Sequence, residues 1–223
     1  MKRIPTLTTL ALASTLALAG CGTGTAEQDT GTAAETTAPA ASAPEGAGTA
    51  SASGEPIAAE HNDDDVMFAQ MMLPHHEQAV QMSETLLAKD DVPAGVADFA
   101  QRVIDAQGPE IERMHQMLQS WGEEPMSASG GMEGMDHGAD AGMGGMMTAE
   151  DMQALETAEG TEAAQLYLEQ MTTHHEGAVK MARDQVEQGQ NPQAVALAQQ
   201  VIEDQEAEIQ EMQTMLQELP SQS

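Results

Sequence analysis

The segment FAQMMLPHHEQAVQM, residues 68–82, sets two adjacent histidines among methionines, with Met72 one helical turn before His75 and Met82 two turns after it. Imidazole nitrogen and thioether sulfur are both neutral donors. Thioethers favour Cu(I) or Ag(I), whereas zinc prefers thiolate, imidazole and carboxylate, and calcium takes oxygen. The metal these residues point to is copper, as Cu(I) first, with Ag(I) or Cu(II) as alternatives. One inward histidine or one methionine stripe is ordinarily packing. Here the pattern occurs twice, because YLEQMTTHHEGAVKM at 167–181 repeats it with Met171, His174, His175 and Met181. Ionisable groups in a core need a reason to be there. The candidate ligands are therefore Met72, His75, His76 and Met82 with their four counterparts.

Helices must position them. A second pair of blocks, AQRVIDAQGPEIERMHQML at 100–118 and AQQVIEDQEAEIQEMQTML at 198–216, repeats at an offset of 98 residues, against 99 for the first pair. Each repeat thus reads helix, short turn, helix. The turns carry Lys89-Asp90-Asp91-Val92-Pro93 and Gly189-Gln190-Asn191-Pro192, with proline suited to the start of the next helix. Asn62 before Asp63, Asp64 and Asp65 predicts an N-cap with an acidic first turn, and Thr148 with Asp151 predicts a capping box opening a short helix. Two helical hairpins bury their apolar stripes most simply against each other. The expected fold is all-α, a four-helix bundle built from two tandem helical-hairpin repeats: repeat one at 61–122, a Met/Gly-rich loop at 123–147, and repeat two at 148–219.

At about 100° per residue, His75 and His174 point inward, while His76 and His175 fall at the edge of the apolar face. On the second helix of each repeat Gln107 and Gln205 lie in mid-stripe, where a buried amide needs a partner and the inward imidazole is a natural one. Glu110 and Glu208 flank that stripe. For Met114, Met117, Met212 and Met215, ligation and packing both stay open, and His115 is a further candidate. Glu112-x-x-His115 is the one Glu-x-x-His spacing, and its glutamate should face solvent, which argues against a di-iron centre. The loop adds Met132, Met135 and His137, as a flexible soft-ion wrap or as a plain low-complexity linker. Two departures separate the copies: Gly108-Pro109 is expected to interrupt and kink the second helix, and His115 is replaced by Gln213. The halves are therefore expected to bind metal unequally.

The opening MKRIPTLTTLALASTLALAGC reads as a signal peptide over residues 1–20. Leu18-Ala19-Gly20-Cys21 resembles a bacterial lipobox, which would make Cys21 the lipidated N-terminus and the membrane a partner only through that lipid. Cys21 is the single cysteine, so the fold rests on its core or on metal, not on an internal disulfide. Residues 21–60 are small, polar and Pro-containing, as in a disordered tether. A formal charge of -30 argues against nucleic acid or anionic lipid partners and suits a surface that gathers cations. Aromatics are 2% of the chain against 18 methionines, so methionine takes over part of the core. No nucleophile elbow, phosphate loop or paired cysteine motif supports a hydrolase or nucleotide site.

Together, FAQMMLPHHEQAVQM, YLEQMTTHHEGAVKM and the two A-Q-x-V-I-x-x-Q-x-x-E-I-x-x-M blocks resemble the domain of unknown function 305 family from about residue 61 to 219. The resemblance implies an exported or lipid-anchored bacterial protein with a ferritin-like four-helix bundle, in a family of which some members are linked to copper binding and resistance. Carried over, it implies copper contacts at Met72, His75, His76, Met82, Met171, His174, His175 and Met181. The expected function is a lipid-anchored extracytoplasmic protein that binds Cu(I) and buffers it or exchanges it with a donor or acceptor protein, without catalysis. A structural or interaction bundle with a buried His/Gln network is the alternative, and a small metal-dependent oxidase a third reading.

Overall fold

The computed structural model describes residues 56–126 and 144–219. Five helices run through them: α1 Asp63–Leu87, α2 Ala94–Trp121, α3 Ala149–Thr157, α4 Gly160–Gln188 and α5 Pro192–Glu218, with no strand among the described residues. Their starts follow the sequence chemistry. The Asn62 side chain accepts from the Asp65 backbone N–H while the Asp65 carboxylate accepts from that of Asn62, a complete capping box. Thr148 and Asp151 form the same device at α3. At α5, Asn191 accepts from the N–H groups of Gln193 and Ala194, with Pro192 in the first turn.

One expectation is corrected. Gly108-Pro109 does not interrupt α2, which continues from Ala94 to Trp121 with Pro109 inside it, and Pro74 sits inside α1 in the same way. A proline costs a helix one N–H bond and crowds the carbonyl four residues back. Packing of long amphipathic helices supplies enough elsewhere to hold the remaining turns. The residues just before α1 are bonded to the helices: Ala58 donates to the Gln193 side chain and accepts from the Trp121 indole, and Asn191 Nδ2 donates to the carbonyls of Ala58 and Glu60. Residues 56–60 thus lie on the helices.

α1 packs along α2, α4 along α5, and α1 against α4, while α3 touches α1 and α4. Two apolar cores result, and each draws on both repeats. One gathers Ala79, Met82 and Leu86 of α1 with Val96, Phe99 and Val103 of α2, Tyr167, Leu168 and Met171 of α4, and Met212 of α5. The other gathers Phe68, Met72 and Leu73 of α1 with Met114, Met117 and Leu118 of α2, Ala178 and Ala182 of α4, and Ala194, Leu197 and Val201 of α5. Every long helix passes from one core to the other, and where it crosses it carries His75-His76, Gln107, His174-His175 or Gln205, all buried. A polar layer therefore separates two greasy ones.

A fully buried carboxylate fastens one end. Asp65 receives the Gln185 amide at 2.6 Å and the backbone N–H groups of Gln190 and Asn191, so the start of α1 is bonded to the turn between α4 and α5. A buried charge is tolerable when several donors surround it. Within the first core, the Tyr167 hydroxyl and Ser83 Oγ are 2.8 Å apart, and burial pushes the phenol pKa upward.

Candidate metal centre

Adjacent residues on a helix point about 100° apart. In α1 that angle separates two neighbouring helices: His75 turns towards α4 and His76 towards α2. His75 and His174 meet across the α1–α4 contact with ring centroids 3.8 Å apart. His76 Nε2 lies 2.8 Å from a carboxylate oxygen of Glu110, and His175 Nε2 lies 2.7 Å from one of Glu208. The histidines expected at the edge are in fact fully buried. A helix lined on two sides by neighbours has a wider interior arc than one apolar stripe suggests.

The partner of the imidazoles also differs from expectation. Neither polar atom of the buried Gln107 side chain has a hydrogen bond, and Gln205 Oε1 has none either. Glu110 and Glu208, one turn further along the same faces, take the orienting role instead. A carboxylate accepts from an imidazole N–H more strongly than an amide does, because the bond is charge-assisted.

These bonds leave specific atoms over. A carbonyl only accepts, so the 3.3 Å contact of His75 Nε2 with the Gly144 carbonyl assigns the ring hydrogen to Nε2 and a lone pair to Nδ1. At His76 and His175 the Nε2 atom is taken up by Glu110 and Glu208, and Nδ1 is the ring nitrogen left over. The Nδ1 atoms of His75, His76 and His175 are buried without a protein hydrogen bond, as are the ring nitrogens of His174 apart from an approach to the His75 backbone. Native interiors rarely leave such atoms bare. Burial, with His76 as its main ally, brings the His75 pKa down to about 3 despite the Gly144 carbonyl. Burial and then the charges of His75, His175 and His76 hold His174 well below the usual imidazole range. Both rings are neutral at neutral pH, the form in which imidazole ligates.

The thioethers bracket this layer. Met72 is buried on one side with Met114 and Met117, and Met181 packs against them partly buried. On the other side Met171 is buried with Met82 and Met212, with Met215 partly buried against them. Each group of four takes three sulfurs from one repeat and one from the other. His115 is exposed, as is Glu112, so the structure does not bring His115 to the layer: its face of α2 looks outward. Met132, Met135, His137 and Cys21 lie outside the described residues. Among the described residues no three His, Cys, Asp or Glu side chains form a ready-made metal cluster. Carboxylates serve here only as orienting groups, and the donors left over are imidazole and thioether.

Sequence reasoning missed the cover over the site. Gly144 and Gly145 cross α4 at Gly177 so closely that a Cβ on Gly177 would lie 1.7 Å from the Gly144 oxygen. Gly145 has a left-handed φ of 89°, and Gln78 clamps the Met147 backbone, donating to its carbonyl at 3.0 Å and accepting from its N–H at 2.7 Å. The signal was present: Gly177 stands where the other copy has Gln78, whose side chain bonds this same strap.

A family model described as "Domain of unknown function (DUF305)" matches residues 65–216. Solved structures agree. A DUF305 protein of Streptomyces coelicolor, classed as secreted, is 34% identical over 70% of this chain and 93% of its own, with a TM-score of 0.62. A DUF305 fragment from Deinococcus radiodurans is 28% identical over 71% of this chain and 98% of its own, TM-score 0.62. CopM in its Cu(I)-bound form is 29% identical over 70% of this chain and 98% of its own, TM-score 0.56, and CopM is also known in Cu(II)-bound, Ag-bound and apo forms. No curated protein matches the chain by sequence.

Proposed function

The chain belongs to the DUF305 family, and from that premise we propose that it is an exported, lipid-anchored protein that binds Cu(I), or Ag(I), through methionine and histidine in the service of copper homeostasis or resistance. Its helices are read as a ferritin-like four-helix bundle of two tandem hairpins. The observation that carries the metal reading is the set of buried imidazole nitrogens with no protein partner at His75, His76, His174 and His175. Two of those rings donate their other nitrogen to Glu110 and Glu208, the arrangement in which an outer carboxylate fixes a ligating histidine. Met72, Met82, Met171 and Met181 complete a soft donor set, with Met114, Met117, Met212 and Met215 behind them. CopM, similar in fold and sequence, has been solved with Cu(I), Cu(II) and Ag. Bound copper would satisfy the bare nitrogens, and the protein's part is to hold the ion away from water and pass it on. No catalytic step is assigned.

The test is anaerobic competition for Cu(I) against a chelator, with the protein and with its His75→Ala/His76→Ala/His174→Ala/His175→Ala variant. The variant should lose the high-affinity ion. Equal uptake by both proteins would move the site out of the interior and leave a buried polar network in its place.

A further inference from the structure

Two large hydrophobic side chains are exposed among the described residues, Met67 at 52% and Met126 at 38%. Met67 is not isolated. With Met71 one turn on, and with Met181 and Asp184 of α4, it lines a half-open groove of about 230 Å³ floored by Phe68 and flanked by Asp64. We propose that Met67, Met71 and Met181 form a solvent-facing port that takes up a soft monovalent cation, Cu(I) or Ag(I), ahead of the interior.

Three observations carry this. The groove sets three thioethers from two helices around one opening, which is a soft ligand set in itself. Asp64 and Asp184 stand at its rim, and carboxylates beside neutral donors raise the local cation concentration without competing for a soft ion. Most telling is the comparison between repeats. The interior methionines recur: Met72 and Met171, Met82 and Met181, Met114 and Met212, Met117 and Met215. Around the port only Met181 has a methionine counterpart. Residues equivalent to Asp64, Met67, Met71 and Asp184 are Ala163, Leu166, Gln170 and Thr85, so the repeated packing scheme does not demand sulfur or charge there. An exposed apolar side chain at Met67 gains little from burial either. Met181 joins the two zones, lining the groove and packing against the core that holds Met72, Met114 and Met117.

The inference rests on the soft-metal reading of the chain, and one experiment separates the two. The full protein is oxidised slowly with hydrogen peroxide, with and without Ag(I), and sulfoxide formation is followed at each methionine by mass spectrometry. At free Ag(I) about ten times the Kd, mass action fills about nine-tenths of the port, so oxidation of Met67 and Met71 should slow about tenfold. Met126, exposed but outside the groove, should oxidise at an unchanged rate. The Met67→Leu/Met71→Leu variant keeps side-chain volume at one exposed and one half-buried position and should bind one ion fewer with a nearly unchanged melting temperature. Identical oxidation of Met67 and Met71 with and without Ag(I) overturns the port. In the His75→Ala/His174→Ala variant, protection that persists while the tight ion is lost establishes two separate sites, and protection lost along with that ion overturns the port as a site of its own. Protection intact in a histidine variant whose tight binding is undiminished upholds the port and removes the interior site.

Discussion

At the scale of single residues the centre depends on imidazoles kept neutral. His75 and His174 titrate near 6.5 in an unfolded chain, but burial brings His75 to about 3 and His174 well below its usual range. Below pH 6.5 the unfolded chain therefore binds protons that the folded one refuses, so stability falls as the pH drops from 6.5 towards 3. Above pH 7 neither state is protonated at these rings and the effect vanishes. The slope approaches about 1.4 kcal/mol per pH unit for each histidine at the steepest part. Urea unfolding of the metal-free protein should show its midpoint decreasing between pH 7.5 and pH 5, and a His75→Gln/His174→Gln variant should flatten that trend. A midpoint constant across this range would mean that the rings are reached by water.

At the scale of elements, the Gly144–Met147 strap supplies the Gly144 carbonyl that fixes the His75 tautomer. Gly177→Ala would put a methyl into the Gly144 backbone, so the strap must lift or α4 must shift. The expected cost is about 1–3 kcal/mol, the usual price of overpacking, together with a weaker interior site, while Gly95→Ala, whose added methyl meets nothing, serves as the neutral control. Equal melting temperatures and Cu(I) affinities for both variants would show that the strap is dispensable. Helix ends such as those at Asn62, Thr148 and Asn191 were legible because capping chemistry is local. The continuous passage of α2 through Pro109 was not, since it depends on what the helix packs against. The same limit governed the site. A helical wheel finds His75 and His174 on an inner face, yet it assigns one face per helix. His76 and His175 are interior because a second neighbour covers them, and Glu110 and Glu208 outrank the glutamines because of where α2 and α5 lie.

At the scale of the whole molecule, two features act together: a formal charge of -30 and a sequence that offers Cys21 directly after Leu18-Ala19-Gly20. No described helix is long and apolar enough to cross a membrane, and under the proposed function the hold on a bilayer is the lipid at Cys21. Expressed in a bacterial host, the protein should partition into the detergent phase on Triton X-114 separation, and the Cys21→Ser variant should move to the aqueous phase. Two acyl chains provide anchoring that a single one does not, so intermediate partition of both proteins would count against diacylation.

The two apolar cores each borrow from both repeats. Neither copy owns a complete interior: residues 63–121 hold part of each, and residues 160–218 hold the complementary parts. Met82 of the first copy shares a core with Met171 of the second, and Met181 of the second shares the other core with Met72 of the first. Two copies of one hairpin set face to face would share their interiors in this same way, each lending apolar residues to both cores. The halves are nonetheless unlike at one end, where Asp64, Met67 and Met71 stand opposite Ala163, Leu166 and Gln170.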